Sequence, residues 1–129
     1  MTTFPYDVST PTVDNPVLAG LFSPASADDV LRAAFAEADR RRAPLTVLIA
    51  APAAVDTGLP DAIERWAEKY PAVALTVSKS SAVDPAIFVT AATGGCCLAV
   101  LPAPVTTLES ALVSAVTRRS RCPVLTAGR

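Results

Sequence analysis

The residues of this chain best placed to do chemistry are hydroxyls, gathered where apolar runs give way to helical patterns. Ser23 and Ser26 sit in the turn Leu21-Phe22-Ser23-Pro24-Ala25-Ser26. Thr106 and Thr107 end the turn Leu101-Pro102-Ala103-Pro104-Val105-Thr106-Thr107, and Ser110 follows. Hydroxyls at helix N-termini can hold an anion or accept a phosphoryl group. They are also ordinary N-cap residues, and that is how these five read. Neither turn contains glycine. A loop that cradles phosphate brings bare backbone N–H groups close to the ligand, and glycine is the residue that permits this. Both turns therefore argue against a phosphate cradle.

Other chemistry is thinly provided. The chain has no histidine, which removes the commonest general base, the common zinc ligand and the usual Ser-His or Cys-His nucleophiles. Asp56, Asp61 and Asp84 fall at loop or cap positions, with no spacing that argues for paired acid–base work. Cys96 and Cys97 are adjacent, so on a strand they face opposite ways and cannot hold one metal together. They read as small hydrophobes of a fourth strand. Cys122 reads as a structural thiol ahead of an apolar strand, with no imidazole to activate it. Arg40, Arg41 and Arg42 form one basic cluster, and Arg118, Arg119 and Arg121 another. Each reads as compensation of a helix dipole on a solvated face.

The elements that position these residues follow from hydropathy. The chain has 129 residues, 51% hydrophobic and 18% charged, with a net charge of −1. That fits one domain with one core and gives no general pull toward nucleic acid or membrane. No apolar run reaches membrane-spanning length, and the start lacks the pattern of a signal peptide. The expected location is the cytoplasm, with reduced thiols.

Residues 1–15 carry Pro5 and Pro11 among threonines and read as an extended N-terminal arm; residues 16–129 read as the domain. Strands are expected at Pro16–Leu21, Leu45–Ala50, Val73–Val77, Cys96–Leu101 and Pro123–Thr126. The first helix starts at Ser26 as N-cap and turns Leu31, Ala34, Phe35 and Ala38 inward. Ala51–Gly58 is a loop. A second helix over Asp61–Tyr70 shares one face among Ile63, Trp66, Ala67 and Tyr70. Ser78–Val83 is a polar turn. A third helix is capped by Asp84, opens on Pro85 and ends at Gly94-Gly95. A fourth, Thr107–Arg119, turns Leu108, Ala111, Leu112, Ala115 and Val116 inward. Strand–helix alternation of this kind predicts an α/β fold: a five-stranded, mostly parallel sheet with helices on both faces, a Rossmann-like three-layer sandwich. A ligand would sit beyond the C-terminal strand ends at the switch point. That mouth would comprise Phe22, Ser23, Ser26, Ala50, Pro102, Thr107 and Ser110.

Several stretches taken in order carry a family resemblance. They are Val17-Leu18-Ala19-Gly20-Leu21, Ala36 to Val47, Trp66-Ala67-Glu68-Lys69-Tyr70-Pro71, Asp84-Pro85-Ala86 and, most specific, Arg121-Cys122-Pro123-Val124-Leu125. Over roughly Pro16 to Arg129 the chain resembles the universal stress protein family in its actinobacterial form. The resemblance implies an adenine-nucleotide α-hydrolase-like five-stranded domain that dimerises through its last strand, here Cys122, Pro123, Val124, Leu125 and Thr126. One branch of that family binds ATP with an Asp-Gly pair after the first strand and a Gly-x-x-Gly loop followed by Gly-Ser or Gly-Thr. Here Phe22-Ser23 stands at the Asp-Gly pair, Pro102 at the first loop glycine and Ser110-Ala111 at the final pair, and the loop is shorter. Proline donates no N–H, and phenylalanine removes a carboxylate. The resulting expectation is a degenerate, non-catalytic member without cofactor. It would act as a homodimer in stress response or regulation, with an unknown protein as a further candidate partner, and would not bind ATP. The alternative is a module for a small nucleotide (AMP, cyclic AMP or ATP) or another anionic metabolite in a remodelled mouth.

Overall fold

The computed structural model describes residues 15–50, 58–80, 85–104 and 107–127. The N-terminal arm up to Asp14, most of the Ala51–Gly58 loop with Asp56, the Asp84 cap and Thr106 lie outside the described residues. Five strands, β1 (Val17–Leu21), β2 (Leu45–Ala50), β3 (Leu75–Ser80), β4 (Leu98–Pro102) and β5 (Val124–Ala127), form one sheet in the order β3-β2-β1-β4-β5. Every pairing is parallel; Val17 sits opposite both Leu45 and Leu98. Four helices, α1 (Ala27–Arg41), α2 (Leu59–Lys69), α3 (Pro85–Ala92) and α4 (Thr107–Arg119), connect the strands. The expected α/β architecture is the observed one.

The central strands are apolar on both sides because both sides are covered. Alternate residues split between two layers. Val17, Ala19 and Leu21 of β1, Leu45, Val47 and Ile49 of β2, and Leu98 and Val100 of β4 join the core that α1 and α2 cover. Leu18, Leu48, Ala50, Ala99 and Leu101 join the core that α3 and α4 cover. Helix α1 buries Leu31, Ala34, Phe35 and Ala38, as its spacing predicts. Phe35 stacks on Tyr70 at 5.8 Å, and Trp66 donates its indole N–H to Asp28 at 3.0 Å, so the aromatic face of α2 is tied to α1.

Helix α2 runs Leu59–Lys69 rather than Asp61–Tyr70, and three further elements differ from expectation for identifiable reasons. Strand β3 begins and ends later than predicted, because it is an edge strand: Ser78 and Lys79, polar enough to read as a turn, continue the pairing with Leu48 and Ile49 of β2. Cys96 and Cys97 precede β4 rather than fill it. They do face opposite ways, Cys96 against the α3–α4 core and Cys97 against the α1–α2 core. Helix α4 keeps its predicted span, but its buried stripe is Glu109, Leu112, Val113 and Val116. Leu108, expected inward, is 61% exposed, and Ala111 is exposed as well. The stripe has the i, i+3, i+4, i+7 spacing of any core-facing helix, yet it is rotated by one residue and starts on a carboxylate.

Candidate functional site

The strands all point the same way, so Leu21, Ala50, Ser80, Pro102 and Ala127 mark one rim of the sheet. β1 leaves this rim into α1 on one face, and β4 leaves it into α4 on the other. The switch point lies between them. Here a 3₁₀ turn, Pro24–Ser26, precedes α1. Ser23 donates its hydroxyl to Glu109 Oε2 at 2.9 Å, and Ser26 donates to the same oxygen at 3.0 Å. The two serine hydroxyl oxygens are 3.1 Å apart. Glu109 is 3% exposed and Ser26 7%. The three side chains make one network joining the entrance of α1 to the first turn of α4, where the dipole of α4 favours negative charge.

Of the residues expected in the mouth, only Ser23 and Ser26 converge. Phe22 points into the α3–α4 core at 2% exposure, and Ala50 and Pro102 are buried in the sheet. Thr107 and Ser110 lie exposed on α4, away from the serines' network. The capping role read for Ser26 is corrected: it holds the N-cap position of α1, but its side chain makes no capping bond and turns to Glu109 instead. Glu109 was not among the expected site residues. The signal that marks it is the stripe 109, 112, 113, 116 on α4, which hydropathy alone passes over because its first member is charged.

The other groups of interest lie apart. Strand β5 is a sheet edge; Leu125 is 38% exposed, Pro123 and Thr126 are exposed, and Val124 and Cys122 are half-buried against the α3–α4 core. Burial, then the neighbouring Cys122 and Cys97, pushes the Cys96 thiol up to about 11. Arg40 and Arg41 both pair with Glu37, at 2.6 and 3.1 Å, and their hydrogen bonds hold its carboxyl below the usual range. Among the described residues there is no His, Cys, Asp and Glu group that could hold a metal ion, and no helix is long and apolar enough to cross a membrane.

At the level of sequence, no family model and no curated protein matches the chain. Solved structures do match. A universal stress protein in complex with cAMP superposes with a TM-score of 0.64 at 21% identity, covering 88% of this chain and 95% of that one. The fold is that of the universal stress proteins. UspA from Lactobacillus plantarum matches with a TM-score of 0.66 at 20% identity over 88% of this chain and 97% of its own. The universal stress protein from Archaeoglobus fulgidus in complex with dAMP gives 0.61 at 16% identity over 91% and 100%. These matches span 95%, 97% and 100% of the respective structures.

Proposed function

We propose that this chain is a non-catalytic universal-stress-type module of the cytoplasm that acts as a homodimer in stress response or regulation and does not bind ATP. The observation that carries the reading is Glu109. Its buried carboxylate takes the hydroxyls of Ser23 and Ser26 at the switch point, where a phosphate would otherwise meet the helix N-termini. A second negative group brought there must displace those bonds and face a like charge away from bulk water. The glycine-free turns and Pro102 in the last position of β4 support the same reading. Absence of histidine throughout the chain supports a non-enzymatic role. Dimerisation through Cys122–Thr126 is supported by β5, an edge strand whose Leu125 is exposed and needs cover.

The alternative, a small-nucleotide module, is supported by the likeness to universal stress proteins solved with cAMP and dAMP. Thermal melts with ATP–magnesium, AMP and cyclic AMP separate the two. Ligand at a hundred times its dissociation constant adds about 2.7 kcal/mol, a shift of several degrees for a domain of this size. The expected result is no shift for the natural chain. A clear shift with any one of them transfers the assignment to the alternative. Sedimentation of the natural chain is expected to give a dimer, and Leu125→Lys a folded monomer; a dimer unchanged by Leu125→Lys would remove β5 as the interface.

A further inference from the structure

A second concavity lies on the opposite side of the α3–α4 layer from the sheet, away from Glu109. It is a groove of about 520 Å³ between α3 and α4, within the range of small-molecule sites. Buried Ala86 and half-buried Thr90 of α3 and Ala115 of α4 line its base, and Ala91 and Ile87, the latter 61% exposed, stand on its wall. Arg118, Arg119 and Arg121 line it as well. Both helices run back antiparallel to the sheet strands, so the groove has a direction: Ile87 lies toward the helix N-termini and the arginines lie at the C-terminal end of α4.

These arginines differ from Arg40 and Arg41 at the end of α1, although Arg42 there likewise has no carboxylate partner among the described residues. Arg40 and Arg41 share Glu37 one turn back, and Arg32 pairs with Asp29. The positions one turn before Arg118 and Arg119 are Ser114, Ala115 and Val116, which offer no carboxylate. Among the described residues no carboxylate pairs with Arg118, Arg119 or Arg121. The basic end is also anchored. Thr93, 1% exposed, donates its hydroxyl to the Thr90 carbonyl at 2.6 Å and accepts the Arg121 backbone N–H at 3.1 Å, fixing Arg121 to the end of α3. A trough with apolar walls, closed at one end by three cations without carboxylate partners among the described residues, complements a molecule with an apolar body and an anionic head.

We infer that the α3–α4 groove binds an anionic amphiphile, its carboxylate or phosphate head on Arg118, Arg119 and Arg121 and its apolar tail lying along Ala91, Ala115 and Ile87. From Ile87 to Ala91 the groove runs about 6 Å along the helix axis, which suits a short alkyl chain. Isothermal titration of the full chain with octyl phosphate, octanoate, octanol and inorganic phosphate tests this below the micellar range of each amphiphile. Saturable binding of octyl phosphate, octanoate or both is expected, with octanol and inorganic phosphate each at least about tenfold weaker, because head and tail contribute separately. Octyl phosphate alone marks a phosphate-type head, and both together mark any anionic head. Arg118→Gln combined with Arg121→Gln is expected to weaken the anions about tenfold or more while leaving octanol and the melting temperature unchanged. No saturable binding of either anion, octanol binding as well as the anions, or anion binding unchanged in the double variant overturns the assignment.

Discussion

Replacing Glu109 with alanine is the most direct test of the switch-point network. The side chain is 3% exposed and its Oε2 accepts two hydroxyls, at 2.9 and 3.0 Å. Hydrogen bonds to a charged group contribute about 1.5–3 kcal/mol each. The desolvation of the carboxylate offsets part of that, and the two serines, 3.1 Å apart, can turn to each other once it is gone. The expected net loss is about 2–3 kcal/mol, roughly 10 °C in melting temperature for a domain of this size. Glu109→Gln keeps an oxygen acceptor and the shape, and is expected to lose less than about 1 kcal/mol. Ser26→Ala should cost about 1–2 kcal/mol by removing one charge-assisted bond. The decisive quantity is the coupling in the double-mutant cycle of Ser26→Ala with Glu109→Ala, measured by urea unfolding. A coupling of about 1–2 kcal/mol is expected for groups in one network, whereas independent sites add to within about 0.5 kcal/mol. A cycle that closes within that error would refute the claim that Glu109 is held by the serines.

Three further outcomes follow from the packing and the thiols. A Cβ on Gly20 would stand 2.9 Å from Leu101 Cδ2 and 3.6 Å from Val89 Cγ1, both fully buried, so Gly20→Ala should cost about 1–3 kcal/mol by overpacking; the added Leu101→Val change should recover part of it in chemical unfolding. Arg42 ends α1 with φ of 55°, a left-handed cap that suits glycine, so Arg42→Gly is expected to raise stability by about 1 kcal/mol in the same assay. Cys96, pushed from 9.0 to about 11, carries more of its proton folded than unfolded between those values. Its contribution to stability is therefore full below pH 9 and lost as the pH rises through about 11. Alkylation near pH 8, followed by mass spectrometry, should modify Cys96 about 100-fold more slowly in the folded than in the unfolded chain; equal rates would contradict the burial argument.

How far the fold could be read depended on where each segment lies. β1 and β2 are covered on both faces, so their apolar runs are continuous and their limits are legible to within a residue. β3 has an open edge, and Ser78 and Lys79 there have the composition of a turn while still pairing with β2. The adjacent cysteines divide between the two cores as the two-residue repeat of an extended chain requires, although β4 itself starts two residues later than expected, at Leu98. The site was half legible. Ser23 and Ser26 stand out as hydroxyls at a helix entrance, but local rules assign such groups to capping. Their partner is 83 residues away from Ser26. A pairing across that distance leaves no mark in local periodicity beyond the displaced stripe of α4.

The strand order has a consequence for how the chain is made. β1, the middle strand, is translated first, together with β2, β3, α1 and α2, and these elements can form a three-stranded half-sheet early. That half-sheet has one face covered. Its other face, Leu18, Phe22, Leu48 and Ala50, waits for α3 and α4, and the free side of β1 waits for β4. During synthesis the nascent chain therefore presents an apolar face and an unpaired strand edge together, the two surfaces most prone to association. Late non-local pairing of this kind also slows folding. A ribosome-bound chain stalled just beyond β3 is where chaperone demand should peak, and it should fall once α4 has emerged and β4 has inserted beside β1.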